Sequence, residues 1–537
     1  MDFNEDFGDF NVLPEEIIIH IIKFLPNRWN LSLVNWNFYE LICKVEANKY
    51  RLKLIDIDDD LEKYESVINT GRKFDEIKMM NLKSEDDHVT EKLRSILEKF
   101  QLGIKVISIY NSKLPESQFI ELLGMHLNLK RLLLYDVSFS ATERDNVELY
   151  LPNLRSLNIQ LCNIIISRTI LRIPNNTLYY LSIKNLVLDV QTLRKILENQ
   201  RNIKELEFDP YFVDPASMSA LEFNKLKLMS NRNVAPIIKN QYSLTSLDLS
   251  KAHITDTDFL QICKMNNLRV LKLWIDRISC DLIGNIEKLN KLQELAINYE
   301  RLEVEYIAII SKLCLNSLQT LKIEFPKLKI FAENFIAISM NCPNVNKLII
   351  NGQSIGVIGT IIEYFKHLQS LIFECDSDSV KVVNFPVNNF VNENLKELYL
   401  YDNQFNNPAK EHFQSTSSLL SLINIAIPNL ERLRIKNIIS LDIEALNIIF
   451  ENKPNLSHIH VDDIAINNTI DAHYVETLMQ VAQSLDYIEL NKVLLEVDED
   501  LIAQIMDNKF TYVNCKKWRN EIILRNCRWN THDENVF

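Results

Sequence analysis

From residue 74 to about residue 520 the apolar residues fall into one recurring pattern, L-x-x-L-x-L, often followed by a further apolar pair. It reads LKRLLLYDVSF from Leu129, LRSLNIQLCNI from Leu154, LYYLSIKNLVL from Leu178 and IKELEFD from Ile203, with first positions 25, 24 and 25 residues apart. Further copies start at Leu244, Leu268, Leu292, Leu318, Val345, Leu368, Leu395, Leu430, Leu456 and Leu485. Weaker ones at Phe74, Ile104, Phe223 and Phe510 bring the array to about eighteen units. Within each copy the x-L-x-L-x stretch alternates with period two, which predicts a short strand with its leucines turned to one face. Between copies, segments such as TDTDFLQICKMNN space their apolar residues at helical intervals. One strand and one helix per unit, stacked side by side, predict an α/β solenoid with a curved parallel sheet inside and helices outside.

The opening of the chain is patterned differently. In NVLPEEIIIHIIKFLPNRWNLSLVNWNFYELI, residues 11–42, Leu13, Ile17, Ile21 and Phe24 lie at helical spacing, while Ile18, Ile22 and Leu25 widen the apolar surface beyond one stripe. Pro14 suits a first helical turn, where its missing N–H has no partner to lose, and Glu15 and Glu16 favour the same end. Pro26 ends that helix, and a second stretch follows with Leu33, Val34, Phe38, Leu41, Ile42 and Val45 on its apolar side. Short helices with apolar surface on more than one side pack together and leave a patch to be covered by something else. The predicted organisation is an acidic tail over 1–10, a small all-α module over 11–55, a connecting segment over 56–73, the repeats over 74–520, and a C-terminal cap and tail over 521–537.

The body resembles the leucine-rich-repeat family, in its irregular, helix-containing intracellular form. The asparagine usual at the family's turn is present in few units, for example Asn403, and is replaced by Cys162, Leu186 or Ile438 elsewhere. The opening segment resembles the F-box: LPEEIIIHIIKFLP and LSLVNWNFYELI follow its two conserved stretches, with Phe38 where the family usually has tryptophan. That resemblance implies docking on the Skp1 adaptor of a cullin-RING ubiquitin ligase through Leu13, Pro14, Ile17, Ile21, Leu25, Val34 and Phe38. It further implies a substrate receptor that holds its target near the transferred ubiquitin, with no catalytic residue of its own.

Composition narrows the alternatives. A net charge of −13 opposes binding to nucleic acid or to an anionic membrane surface. The 8 glycines build no phosphate-binding loop, and no G-x-S-x-G or H-E-x-x-H motif occurs. The 9 cysteines are scattered without C-x-x-C spacing, which points to reduced, buried thiols in an intracellular protein, cytoplasmic or nuclear, rather than to disulfides or zinc. An acidic start without an apolar core segment predicts no secretory leader. No cofactor or metal is expected.

Recognition then falls to the residues between the strand leucines. Tyr135, Tyr180, Trp274, Tyr399 and Tyr401 are of the kind that anchors protein partners, with Tyr487 on the same predicted face. Arg432, Arg434 and Lys436 form a basic rung beside His458 and His460, suited to a protein substrate, a phosphorylated segment or an inositol phosphate. Glu205, Glu207 and Asp209 form an acidic rung expected to present negative potential. Two other readings stay open: a scaffold that uses the N-terminal helices as an end cap, and a small-molecule sensor.

Overall fold

The computed structural model describes residues 51–55, 74–82, 87–140, 151–162, 176–185, 197–208, 222–228, 235–239, 241–299, 304–324, 330–353, 355–375, 390–401, 422–436, 443–461, 469–470, 487–491, 494–495, 512–516 and 521–525. The F-box-like residues Leu13, Pro14, Ile17, Ile21, Leu25, Val34 and Phe38 lie outside them, as does Asp209. The chain divides into two compact units, Met1–Arg232 with Lys239–Gln241 and Asn233–Ile238 with Tyr242–Phe537.

In the first unit the strands are β1 (Arg51–Ile55), β2 (Glu76–Met80), β3 (Val106–Pro115), β4 (Arg131–Ser140), β5 (Ser156–Gln160), β6 (Tyr180–Lys184), β7 (Glu205–Phe208) and β8 (Lys225–Leu228). Each pairs in parallel with the next. Register places one apolar row through Leu52, Ile77, Ile107, Leu132, Leu157, Leu181, Leu206 and Leu226, and a second through Leu54, Met79, Ile109, Leu134, Ile159, Ile183, Phe208 and Leu228. All of these are buried. Helix Asp87–Phe100 turns Leu93, Ile96, Leu97 and Phe100 inward at helical spacing, and the Phe74 and Phe100 rings meet edge to face at 5.0 Å.

The second unit runs through β9 (Ser246–His253), β10 (Val270–Trp274), β11 (Glu294–Asn298), β12 (Thr320–Glu324), β13 (Lys347–Gln353), β14 (Ser370–Cys375), β15 (Glu397–Tyr401), β16 (Arg432–Lys436) and β17 (His458–Val461). These again pair in parallel, each with the next. A two-stranded ladder joins β18 (Thr469–Ile470) to β20 (Leu494–Leu495), while β19 (Tyr487–Asn491) pairs in parallel with β17. Then the direction reverses: β22 (Glu521–Arg525) runs antiparallel to both β19 and β21 (Tyr512–Lys516). Short helices connect the rungs. In helix Asp256–Ile262, Thr255 and Asp258 close a reciprocal cap, the Asp258 carboxylate accepting from the Thr255 N–H at 2.9 Å.

Two expectations are corrected. Arg51–Ile55, assigned above to the helical module, is a strand paired with β2, because R-L-K-L-I alternates and both leucines are buried. The copy at Phe510 supplies β21, which among the described residues pairs only in the antiparallel sense and so is not a parallel rung. The remaining copies, from Phe74 to Leu485, each carry a parallel strand. This is the strand-and-helix stack expected of a leucine-rich repeat.

The turns into the strands are held by a feature that the leucine pattern does not announce. The residue just before the first leucine of a unit is often asparagine, and its side-chain amide donates to a backbone carbonyl of the preceding unit. In the first unit these bonds are Asn128 to Leu102 at 3.1 Å, Asn153 to Leu127 at 2.9 Å and Asn202 to Asn176 at 2.9 Å. In the second they are Asn267 to Tyr242 at 3.3 Å, Asn344 to Asn316 at 2.7 Å, Asn394 to Lys366 at 2.8 Å and Asn429 to Glu393 at 2.9 Å. Main-chain bonds run alongside. The Gln369 and Ser370 N–H groups, for example, both donate to the Asn346 carbonyl.

Candidate functional site

With the leucines fixed inward, the alternate residues of each strand form three rows on the other side of the sheet, half-buried by their own neighbours. The rows in the first unit are largely closed on themselves. Glu207 is 8% exposed, and its carboxylate meets Lys227 Nζ at 2.8 Å and Lys184 Nζ at 2.9 Å. It also accepts from Ser182 Oγ at 3.2 Å and from the Tyr180 hydroxyl at 3.3 Å. Burial alone would raise the Glu207 carboxyl, but hydrogen bonds and charge from the two lysines outweigh it and hold the group below the usual carboxylate range. Glu205 pairs with Lys225 Nζ at 2.9 Å. The expected negative rung is therefore neutralised by lysines of the neighbouring strands, and Tyr180 is tied into the same network. Tyr135 is exposed at 38%, its ring 6.0 Å from that of Tyr110, over which Lys78 Nζ stands at 4.4 Å.

The remaining predicted residues lie in the second unit, in two places. Trp274 ends β10 beside His253, ring centroids 5.0 Å apart, and His253 Nδ1 lies 3.9 Å from Asp276 Oδ2. Tyr399, Tyr401, Arg432, Arg434, Lys436, His458 and His460 come together on β15, β16 and β17. Register sets Glu397 opposite Arg432, Tyr399 opposite Arg434 and Tyr401 opposite Lys436, then Arg432 opposite His458 and Arg434 opposite His460.

This cluster is bonded internally. Arg432 Nη1 lies 3.5 Å from the Glu397 carboxylate, and His458 Nδ1 is 2.6 Å from Ser457 Oγ. Burial, then the Glu397 charge, raises the Tyr399 hydroxyl, which is hydrogen-bonded to Arg432. Tyr401 is pushed up to about 12 by burial first and then by Glu374 and Glu324, with a hydrogen bond to Glu374. Both phenols are thus neutral at physiological pH, the Tyr399 oxygen accepting from the Arg432 guanidinium and the Tyr401 hydroxyl donating to the Glu374 carboxylate.

Two side chains of this face were absent from the expected set. Ile349 and Ile372 occupy the central outward row, where the other rungs carry mostly polar groups; their signal was an aliphatic at the x position of LIINGQ and LIFEC.

The buried thiols of Cys162, Cys263 and Cys342 are pushed up to about 11, 12 and 11, chiefly by burial, and so stay protonated. Among the described residues no group of three or more His, Cys, Asp or Glu side chains gathers as a metal site, and no helix is long and apolar enough to cross a membrane.

No family model matches the chain, and no curated protein matches it. Among solved structures it is similar to an internalin, inlF, from Listeria monocytogenes, at 14% identity and a TM-score of 0.32 over 77% of this chain and 96% of that one. It is also similar to the plant peptide hormone receptor RGFR1 in complex with RGF2, at 14% identity and a TM-score of 0.26 over 87% of this chain and 66% of that one.

Proposed function

We propose that this chain is a non-catalytic protein-binding repeat protein, and that residues 11–45 dock it on Skp1 as the substrate receptor of an SCF-type ubiquitin ligase. The observation that carries the binding role is the contrast within the second unit. A uniform leucine ladder fixes the backbone, while the row facing away from it changes from rung to rung through acid, base, aliphatic and aromatic side chains. A rigid sheet with variable outward residues suits recognition of a folded or extended protein surface. The ligase role rests on the F-box resemblance of LPEEIIIHIIKFLP. Its contribution would be proximity, raising the effective concentration of target lysines near the charged ubiquitin carrier.

The test is co-purification of the full-length chain with Skp1, beside a Leu13→Ala, Pro14→Ala double variant. Capture of wild type and loss with the variant supports the docking role; a folded chain that captures no Skp1 removes it and leaves the binding scaffold. One observation favours a second reading, in which the N-terminal helices only cap the array: β1 follows the motif directly and is already a rung of the ladder. On that reading, deleting residues 1–50 lowers the melting temperature of the repeats.

A further inference from the structure

The central outward row of the second unit is mostly polar or charged: Asp248, Lys272, Lys322, Arg434 and His460. Ala296 of β11, small and buried, departs from this, and so do three consecutive rungs further along. Ile349 stands in register with Ile372, and Ile372 with Tyr399. The two isoleucines are half-buried, and Tyr399 is 8% exposed, so the hydroxyl end is held down while the row stays continuous. At a strand spacing of about 4.8 Å the three make an apolar stripe about 10 Å long.

The ladder itself does not call for aliphatic side chains here, because its core is filled by the inward rows: Leu348 and Ile350, Leu371 and Phe373, Leu398 and Leu400, all fully buried. An aliphatic group left facing water forgoes the favourable burial that a partner could supply.

The charges around the stripe are unequal. The carboxylates on these strands are engaged within the face. Glu324 meets Lys322 Nζ at 2.8 Å and Asn351 Nδ2 at 3.0 Å, Glu397 faces Arg432, and Glu374 is bonded to Tyr401. Lys347, at the N-terminal end of β13 beside Ile349, has no carboxylate partner among the described residues, and Arg434 and Lys436, which have interactions of their own, add positive charge at the other end of the stripe. A chain of net charge −13 thus carries a locally cationic frame around an apolar row.

We propose that Ile349, Ile372 and Tyr399 anchor a partner segment that presents an aliphatic or aromatic side chain flanked by carboxylates, with Lys347, Arg434 and Lys436 receiving the charge. The inference rests on the protein-binding reading above and names the chemistry of the partner. The apolar stripe supplies the contact area, and the cationic frame steers an acidic segment and sets its register.

The experiment selects a displayed random-peptide library on the full-length chain and measures the enriched peptides by fluorescence anisotropy against three proteins: wild type, Ile349→Asp with Ile372→Asp, and Lys347→Glu. Circular dichroism melting keeps folding separate from binding. The expected result is enrichment of peptides in which Asp or Glu flanks Leu, Ile or Phe, with affinity falling about tenfold or more in the stripe variant. A smaller loss is expected for Lys347→Glu, which replaces one cation at the rim. Enrichment of basic or charge-neutral peptides, no enrichment above background, or equal binding to a folded stripe variant overturns the proposal. Skp1 capture by the same stripe variant is scored in parallel: its retention while peptides bind all three proteins equally defeats only the stripe, and its absence in wild type defeats only the docking role.

Discussion

Glu207 shows how a single residue changes meaning once the register is known. In sequence it belongs to an acidic run and reads as negative potential. In the fold, Lys227 lies directly across from it and Lys184 diagonally, and both reach its carboxylate. The pairing was not legible because neighbours in this sheet sit a whole unit apart, and unit lengths vary enough to shift which residue faces which. The energetic consequence has a definite sign. A carboxylate held lower in the folded chain than in the unfolded one adds stability above the ordinary glutamate value and loses it as the pH falls through the lowered one. Urea unfolding of wild type is therefore expected to weaken on going from neutral pH into the range below ordinary carboxylates. Glu207→Gln should cost about 1–3 kcal/mol at neutral pH, leaving two lysines short of a partner, and should flatten that acid slope. A variant as stable as wild type at pH 7, with the slope intact, would show that the network contributes nothing.

At the scale of one element, the strands were readable and the turns were not. Leu348, Leu371 and Leu398 declare themselves by period-two alternation, and each is fully buried in the position that alternation assigns. The asparagines that precede the units, such as Asn344 and Asn394, look in sequence like ordinary turn residues. Their role appears only when the preceding turn is brought alongside, so that an amide can reach a carbonyl some twenty-eight residues earlier. The two kinds of residue should differ in cost. Leu348→Ala leaves a cavity in a packed row and is expected to lower stability by about 2–5 kcal/mol. Asn344→Ala removes one bond at an exposed turn, where water can replace the donor, and should cost about 0.5–1.5 kcal/mol. Chemical denaturation of both variants checks the ranking, and equal losses would contradict it. Arg51–Ile55 is the opposite case: its five residues alternate clearly, but a pattern that short is outweighed by the helical spacing of the apolar residues that precede it in the sequence.

For the whole molecule, most of the architecture followed from one repeated constraint, a leucine ladder that cannot bury its apolar side without a neighbour. The candidate face was less legible, since recognition uses the positions that the repeat leaves unconstrained. The aromatic and basic residues of β15 and β16 stood out by type, whereas Ile349 and Ile372 were hidden among the very residue class that marks the core. The antiparallel strand β22, laid against the last parallel rung β19, carries a consequence of its own. A stack in which every step is the same translation is a template for growth, because its final rung offers a second molecule the same N–H and C=O groups that each earlier rung offered its successor. Reversing chain direction there breaks the run of identical parallel steps; β21, beyond it, again runs in the direction of β19, so the interruption lies in the antiparallel step itself and not in the polarity of the outer strand. Removal of residues 511–537 is accordingly expected to produce concentration-dependent linear assemblies in sedimentation velocity, over a range where the full chain sediments unchanged; identical profiles would refute it. On that expected outcome, the antiparallel step is what keeps a ladder from becoming a filament.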